Sequence, residues 1–149
     1  MPAIGPDLKV HSLRLVVAFA LFGIAAVADT HEDVVDVFAS MAAALSSNNA
    51  PDFLRACDPS MPDYDQLKTN VTALLQQSDV ASSVEFLKDE GDDTCREVEL
   101  DWFLELRNPD PAGPVLRRRE VIHCRLEKRK KGWIVASLTP INFFAAEQF

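Results

Sequence analysis

The chain has 149 residues, a length for one domain, and its 48% apolar and 26% charged residues are ordinary globular values that exclude wholesale disorder. Its formal net charge is -8, from 23 acidic against 15 basic residues. Such a balance opposes binding to nucleic acid or to an anionic membrane surface, both of which need a positive field.

Lys9, His11 and Arg14 precede an uncharged apolar run, Leu15 to Ala28, which closes on Ala26-Val27-Ala28. A charged lead, a short apolar stretch and a small-x-small end describe a secretory signal peptide cleaved after Ala28. The run is short for a bilayer span, which needs roughly 20 residues. An uncleaved anchor and a buried core helix are the alternatives. The expected organisation is a signal peptide over 1–28 and one domain over 29–149, exported to the periplasm or beyond the cell, with no stable membrane insertion after cleavage.

Thr30, with Asp33 three residues on, reads as a helix cap, and Val34, Val37, Phe38, Met41 and Leu45 recur at helical spacing, predicting a helix from Thr30 to about Ser47. Ser46-Ser47-Asn48-Asn49 ends it. Pro51 opens a short second helix that carries Phe53 and Leu54 inward. Asp58-Pro59 breaks that helix, because a residue before proline is pushed out of the helical region. Ser60 is the expected cap of a third helix, with Tyr64, Leu67, Val71, Leu74 and Leu75 forming its apolar stripe.

From Asp79 the period changes from helical to alternating. Val80 to Lys88 predicts a first strand with Val84 and Phe86 on one face, followed by an acidic turn from Asp89 to Asp93. In Glu97 to Arg107, Val98, Leu100, Trp102, Leu104 and Leu106 fall on one side, while Glu97, Glu99, Asp101, Glu105 and Arg107 fall on the other with Phe103. That alternation marks a long, half-buried strand. A proline-rich loop from Asn108 to Pro114 leads to a third strand, Val115 to about Lys128. Lys130-Lys131-Gly132 forms a turn into a fourth, Trp133 to Leu138. The apolar tail Ile141-Asn142-Phe143-Phe144 docks on the helices or on a partner. Helices first, then an antiparallel meander, is an α+β layout: three N-terminal helices packed on a strongly curved four-stranded antiparallel sheet.

Cys57, Cys95 and Cys124 are too far apart in sequence for a close metal-ligand pair, and adjacent His123 and Cys124 point to opposite faces of a strand. No metal is expected. Buried free thiols are the favoured reading, and Cys95 with Cys124 is the best pair should a disulfide form.

The helix from Asp33 to Leu45, the Asp52-Phe53-Leu54 helix, the strand from Val98 to Leu106, and the ending Gly132-Trp133-Ile134-Val135-Ala136-Ser137-Leu138 before Pro140-Ile141 together resemble the cone-shaped nuclear transport factor 2-like superfamily, which includes ketosteroid isomerases and polyketide-cyclase-like proteins. The resemblance is one of layout and covers Asp29 to Phe144. It implies a bent sheet wrapped around the helices, an apolar cavity inside, and dimers through the outer sheet face. The catalytic pattern of the isomerases does not transfer. They use a carboxylate base with a tyrosine and protonated-acid pair inside an apolar cone. Here Tyr64 is the single tyrosine, and the inward positions around Trp102 are Val98, Leu100 and Leu104.

The expected lining, should a cavity exist, is Phe53, Tyr64, Val98, Leu100, Trp102 and Leu104, with no cofactor and no assigned catalytic residue. Core packing is the favoured reading of Trp102, and for Tyr64 a packed ring with its hydroxyl reaching water. His123 reads as a surface or interface histidine, and Arg117-Arg118-Arg119 as a solvated strand face pairing across to Glu97, Glu99 and Glu105. Asn70-Val71-Thr72 matches a glycosylation sequon by chance in a helix. An exported module that binds a small apolar ligand or a protein is favoured, as a homodimer through Phe103, Val121 and Val135. The alternative is a cofactor-free isomerase, dehydratase or cyclase acting on an apolar substrate.

Overall fold

The computed structural model describes residues 29–147, so the expected signal peptide lies outside the described residues. By compactness the chain divides into Met1–Asp33 and Val34–Phe149. Of the first unit, residues 29–33 are described and are helical. The second holds helices packed on one face of a four-stranded antiparallel sheet of order β1-β2-β3-β4, an α+β fold.

Helix α1 covers residues 29–46, so Thr30 sits within it and is not its cap. Val34, Phe38, Met41 and Leu45 are fully buried. Asn48 stops the helix by taking a left-handed φ of 57°, a conformation asparagine tolerates, and Asn49 N–H then donates back to the Ala44 carbonyl at 2.9 Å. Asn49 caps α2, Ala50–Arg55, by accepting from Asp52 N–H at 3.1 Å, with Pro51 in the first turn.

Helix α3 runs Tyr64–Gln77, starting later than Ser60. The Asp58 carboxylate draws Ser60 into a local turn, accepting from its N–H at 2.9 Å and its hydroxyl at 2.8 Å, and Asp63, not Ser60, is the residue that precedes the helix. Asp63 precedes α3 at φ 60° with no side-chain capping bond.

The strands are β1 Asp79–Gly91, β2 Cys95–Arg107, β3 Val115–Arg129 and β4 Gly132–Thr139. All five apolar residues assigned to the inner side of β2 are buried. β1 is longer than expected, because Asp89 and Glu90 are strand residues paired with Val98 and Glu97, and the turn shrinks to Asp92–Thr94. The cause is a bulge between Phe86 and Lys88. It leaves Leu87 exposed and turns Asp89 to the inner face, where Arg96 Nε meets its carboxylate at 2.6 Å. A second irregularity, between Arg125 and Leu126 on β3, places Val135 opposite Leu126. Bulges bend strands and sharpen twist, and these two supply the curvature with which the sheet wraps the helices.

That second bulge corrects one expectation. Val135 is fully buried on the inner face and is no part of an outer-face contact, which keeps Phe103 and Val121 alone. The edge of β4 is covered by the link after α2: Val135 N–H donates to Ala56 O at 2.8 Å, and Asp58 N–H donates to Val135 O at 2.9 Å.

All three cysteines are free thiols. Cys95, opposite Glu127 in register, has the parity of the outer face, whereas Cys124 is buried on the inner face. The two sit on opposite sides of the sheet, so the pair expected to be best for a disulfide is the wrong one.

The tail docks on its own domain. Ile141–Phe144 forms a short 3-10 turn with Phe143 and Phe144 buried. Arg118 has inward parity and holds the tail, donating to Phe143 O at 2.9 Å and to Glu147 Oε1 at 2.7 Å. From α3, Gln77 Nε2 donates to Glu147 O at 2.6 Å and its Oε1 accepts from Glu147 N–H at 2.8 Å. Asn70 of the apparent sequon is buried and donates to Ile141 O at 3.4 Å, which withdraws it from any glycan.

Candidate functional site

Five of the six residues expected to line a cavity are packed core. Phe53, Leu100, Trp102 and Leu104 leave no surface open to water from any side, and Val98 nearly none. The rings of Phe38, Phe53 and Phe144 close on Trp102 at centroid distances of 6.4, 6.3 and 5.0 Å. The physical reason is the tail: its 3-10 turn delivers Phe144 into the space that a ligand would need. Trp102 Nε1–H donates to Ser82 Oγ at 2.8 Å, so its one polar atom is satisfied inside the core.

Tyr64 is the sixth, and it borders open space. Together with Ala50, Pro51, Leu54 and Arg55 of α2, Cys57 and Pro59 of the link, Lys68 and Thr72 of α3, and Ile134 of β4, it lines a groove of about 450 Å³. Pockets that take small organic molecules span roughly 300–1,000 Å³ and are mainly apolar with a few polar groups. Tyr64, Lys68 and Thr72 stand four residues apart on α3, one stripe of a helix. The walls opposite them are brought in by the break at Asp58-Pro59 and by the backbone bonds that tie that link to β4.

The groove's polar inventory is small. Arg55 Nη1 lies 2.9 Å from the Asp52 carboxylate in an exposed pair. The Cys57 thiol is pushed up to about 12 by burial, so it stays protonated and is a poor nucleophile at neutral pH. No carboxylate or histidine is among the lining residues, leaving no general acid or base of those types in the groove.

Elsewhere the outer face is an array of ion pairs. Arg119 Nε donates to both carboxylate oxygens of Asp101 at 3.0 Å, holding that carboxyl below the usual aspartate range. Arg117 lies 3.5 Å from Glu105, as expected, but Glu97 and Glu99 stand opposite Arg125 and His123 in register, not opposite the arginine run. His123 Nδ1 is 3.5 Å from Glu99 on that exposed face. A second recess of about 550 Å³, lined by Arg117, Arg118, Arg119, Glu120, Pro140, Asn142 and Phe143, lies beside the tail. Among the described residues no group of three or more His, Cys, Asp or Glu side chains is placed to hold a metal ion.

Of the six residues expected to line a cavity Tyr64 alone borders this groove, and Leu54, Lys68, Thr72 and Ile134 beside it were not among them. The spacing of Tyr64, Lys68 and Thr72 was available as a signal. What lay across from that stripe was not, since it depends on the path of the link between α2 and α3.

No family model matches the chain, and no curated protein matches it in sequence. Solved structures do. A candidate scytalone dehydratase from Novosphingobium aromaticivorans superposes with a TM-score of 0.64 at 11% identity, covering 74% of this chain and 85% of that one. A nuclear transport factor 2-like protein with a cystatin-like fold from the same species gives 0.64 at 10% identity, covering 79% and 84%. A nuclear transport factor 2-like superfamily protein from Salmonella enterica gives 0.60 at 8% identity, covering 75% and 89%. With the helices first, the curved four-stranded meander and the tail returned to the core, the chain has the nuclear transport factor 2-like, cystatin-like fold.

Proposed function

We propose that this chain is an exported small-molecule-binding module whose ligand seats in the groove between α2 and α3, over Ile134. The observation that carries the reading is the contrast between two places. The interior under Trp102 is filled by aromatic rings. The groove beside it is roomy and apolar, and has Tyr64, Lys68 and Thr72 converging on it. A homodimer through the outer sheet face belongs to the same proposal, with Phe103 and Val121 as its apolar centre. Native mass spectrometry of the protein purified from its own host tests the binding reading. An extra mass of a few hundred daltons is expected, lost in a Thr72→Trp variant that fills the groove while its circular dichroism is unchanged. No extra mass, together with no uptake of an apolar fluorescent dye that Thr72→Trp can block, overturns it.

A second reading, a cofactor-free isomerase, dehydratase or cyclase, has one observation in its favour. Glu120 stands opposite Trp102 in register and shares the recess beside the tail with Arg118 and Asn142. Glu120 is nevertheless exposed to solvent, outside the apolar interior where such chemistry would be sheltered from water. The likeness of fold to a candidate dehydratase is analogy alone. Glu120→Gln leaving turnover of a panel of apolar ketones and hydroxy compounds at the uncatalysed rate in both proteins would remove it.

A further inference from the structure

The groove's charge says which ligands suit it, an inference that rests on the binding reading above. Arg55 and Lys68 are the charged side chains on its walls, both cationic. Asp52 already pairs with Arg55, whereas Lys68 has no ion-pair partner among the described residues. Lys68 and Thr72 also line a further recess of about 380 Å³, distinct from the one beside the tail, that continues along α3 with Thr69, Ala73 and Gln76. Lys68 is thus shared by the two recesses, with Thr72 one helical turn away. Tyr64 to Thr72 is eight steps along the helix, roughly 12 Å at 1.5 Å per residue, about the length of a ten-carbon chain. Pro51, Leu54 and Ile134 supply apolar surface across from that stripe.

We propose that the groove takes an amphipathic anion, a free medium-chain or flat apolar carboxylate, with its body on Pro51, Leu54 and Ile134 and its carboxylate against Lys68 and Thr72. The net charge of -8 makes this a demanding assignment, because the mean field of the protein repels anions and only a local site can hold one.

Isothermal titration of the full chain with decanoate, decanol and decyltrimethylammonium tests it, since the three probes share a tail and differ in the head. Decanoate is expected to bind about three- to ten-fold more tightly than decanol at low salt, the range for a charge-assisted contact at a half-open site, and the cation most weakly. Lys68→Gln should close the gap between decanoate and decanol, so the ratio of the two affinities, measured on the same variant, falls to about one. Lys68→Arg should retain the preference, and added salt should shrink it. Equal binding of all three heads, unchanged in Lys68→Gln, overturns the anionic inference and leaves the groove as an apolar site. Failure of all three probes to bind, or binding that Thr72→Trp does not affect, overturns the groove itself.

Discussion

Ser82 accepts the indole N–H of Trp102 at 2.8 Å, two residues along β1 from Val84, the register partner of Trp102. Both side chains have inward parity, so this serine is a polar position kept on an otherwise apolar face to satisfy one buried donor. Ser82→Ala leaves that N–H inside the core without a partner and should cost about 1–3 kcal/mol. Trp102→Phe removes the donor together with its need, so a double-mutant cycle between the two should show coupling of the same order. Urea unfolding midpoints at unchanged m-value measure both. A neutral Ser82→Ala would mean that water reaches the indole.

Arg118 holds the tail through acceptors on separate residues, Phe143 O at 2.9 Å and Glu147 Oε1 at 2.7 Å, with Ala145 O between them. Its planar fork suits this, and a lysine presents one point charge instead. Arg118→Ala should destabilise by about 2 kcal/mol, the scale of lost hydrogen bonds to a charged group. Amides of 143–147 should exchange faster by hydrogen-deuterium exchange, while those of β2 keep their protection. Arg118→Lys should recover less than half of the loss. An unchanged exchange pattern in Arg118→Ala would show that Phe143 and Phe144 alone secure the tail.

The α+β layout was legible because β2 alternates without a break in its apolar set and because α1 and α3 carry clean helical stripes. What escaped the sequence were departures from periodicity. One extra residue at Leu87 and one at Ala136 change which side chains point inward, so Asp89 became a turn residue on paper and Val135 an outer-face one. A bulge has no reliable local signature, since its cost is offset by the curvature it gives the whole sheet. The cavity lining failed for a related reason. Parity placed Val98, Leu100, Trp102 and Leu104 inward correctly, but whether inward means cavity or core depends on Phe144, more than forty residues later in the chain. The capping role given to Ser60 failed because Ser60 is held in a turn closed on Asp58 and the helix begins only at Tyr64, after Asp63.

The cysteines separate by face and burial. Cys57 and Cys124 are buried, and burial raises both thiols well above the ordinary cysteine value, Cys57 to about 12. Cys95 is half-exposed on the outer side. An aromatic disulfide reagent at about pH 8, near the ordinary thiol pKa, should therefore label one of the three cysteines in the native protein and all three in denaturant. Cys95→Ser should abolish the native label. Rapid native labelling of Cys57, which borders the groove but is 2% exposed, would show that the groove opens further onto its thiol.

Acid should unfold the protein through three aspartates whose native contacts favour the charged form. Asp58 accepts from the backbone N–H of Ser60, then from its hydroxyl, and meets Arg129. Asp92 accepts from the N–H and hydroxyl of Thr94 and from Cys95 N–H across the β1–β2 turn. Asp101 is gripped by Arg119. Each carboxyl titrates lower in the folded chain than in the unfolded one. Its contribution is therefore complete above the unfolded value of about 3.9 and is lost as the pH falls through the lower folded value. Stability should change little through these groups between neutrality and about pH 5, then decline below about pH 4. Asp92→Asn keeps an acceptor for the turn but cannot titrate, so its urea midpoint should fall less steeply over that acid range than that of the parent, whatever its value at neutral pH. Parallel acid profiles for the two proteins would show that the hydrogen bonds at Asp92 persist in the unfolded chain, since only a difference in protonation between the two states can tilt the curve.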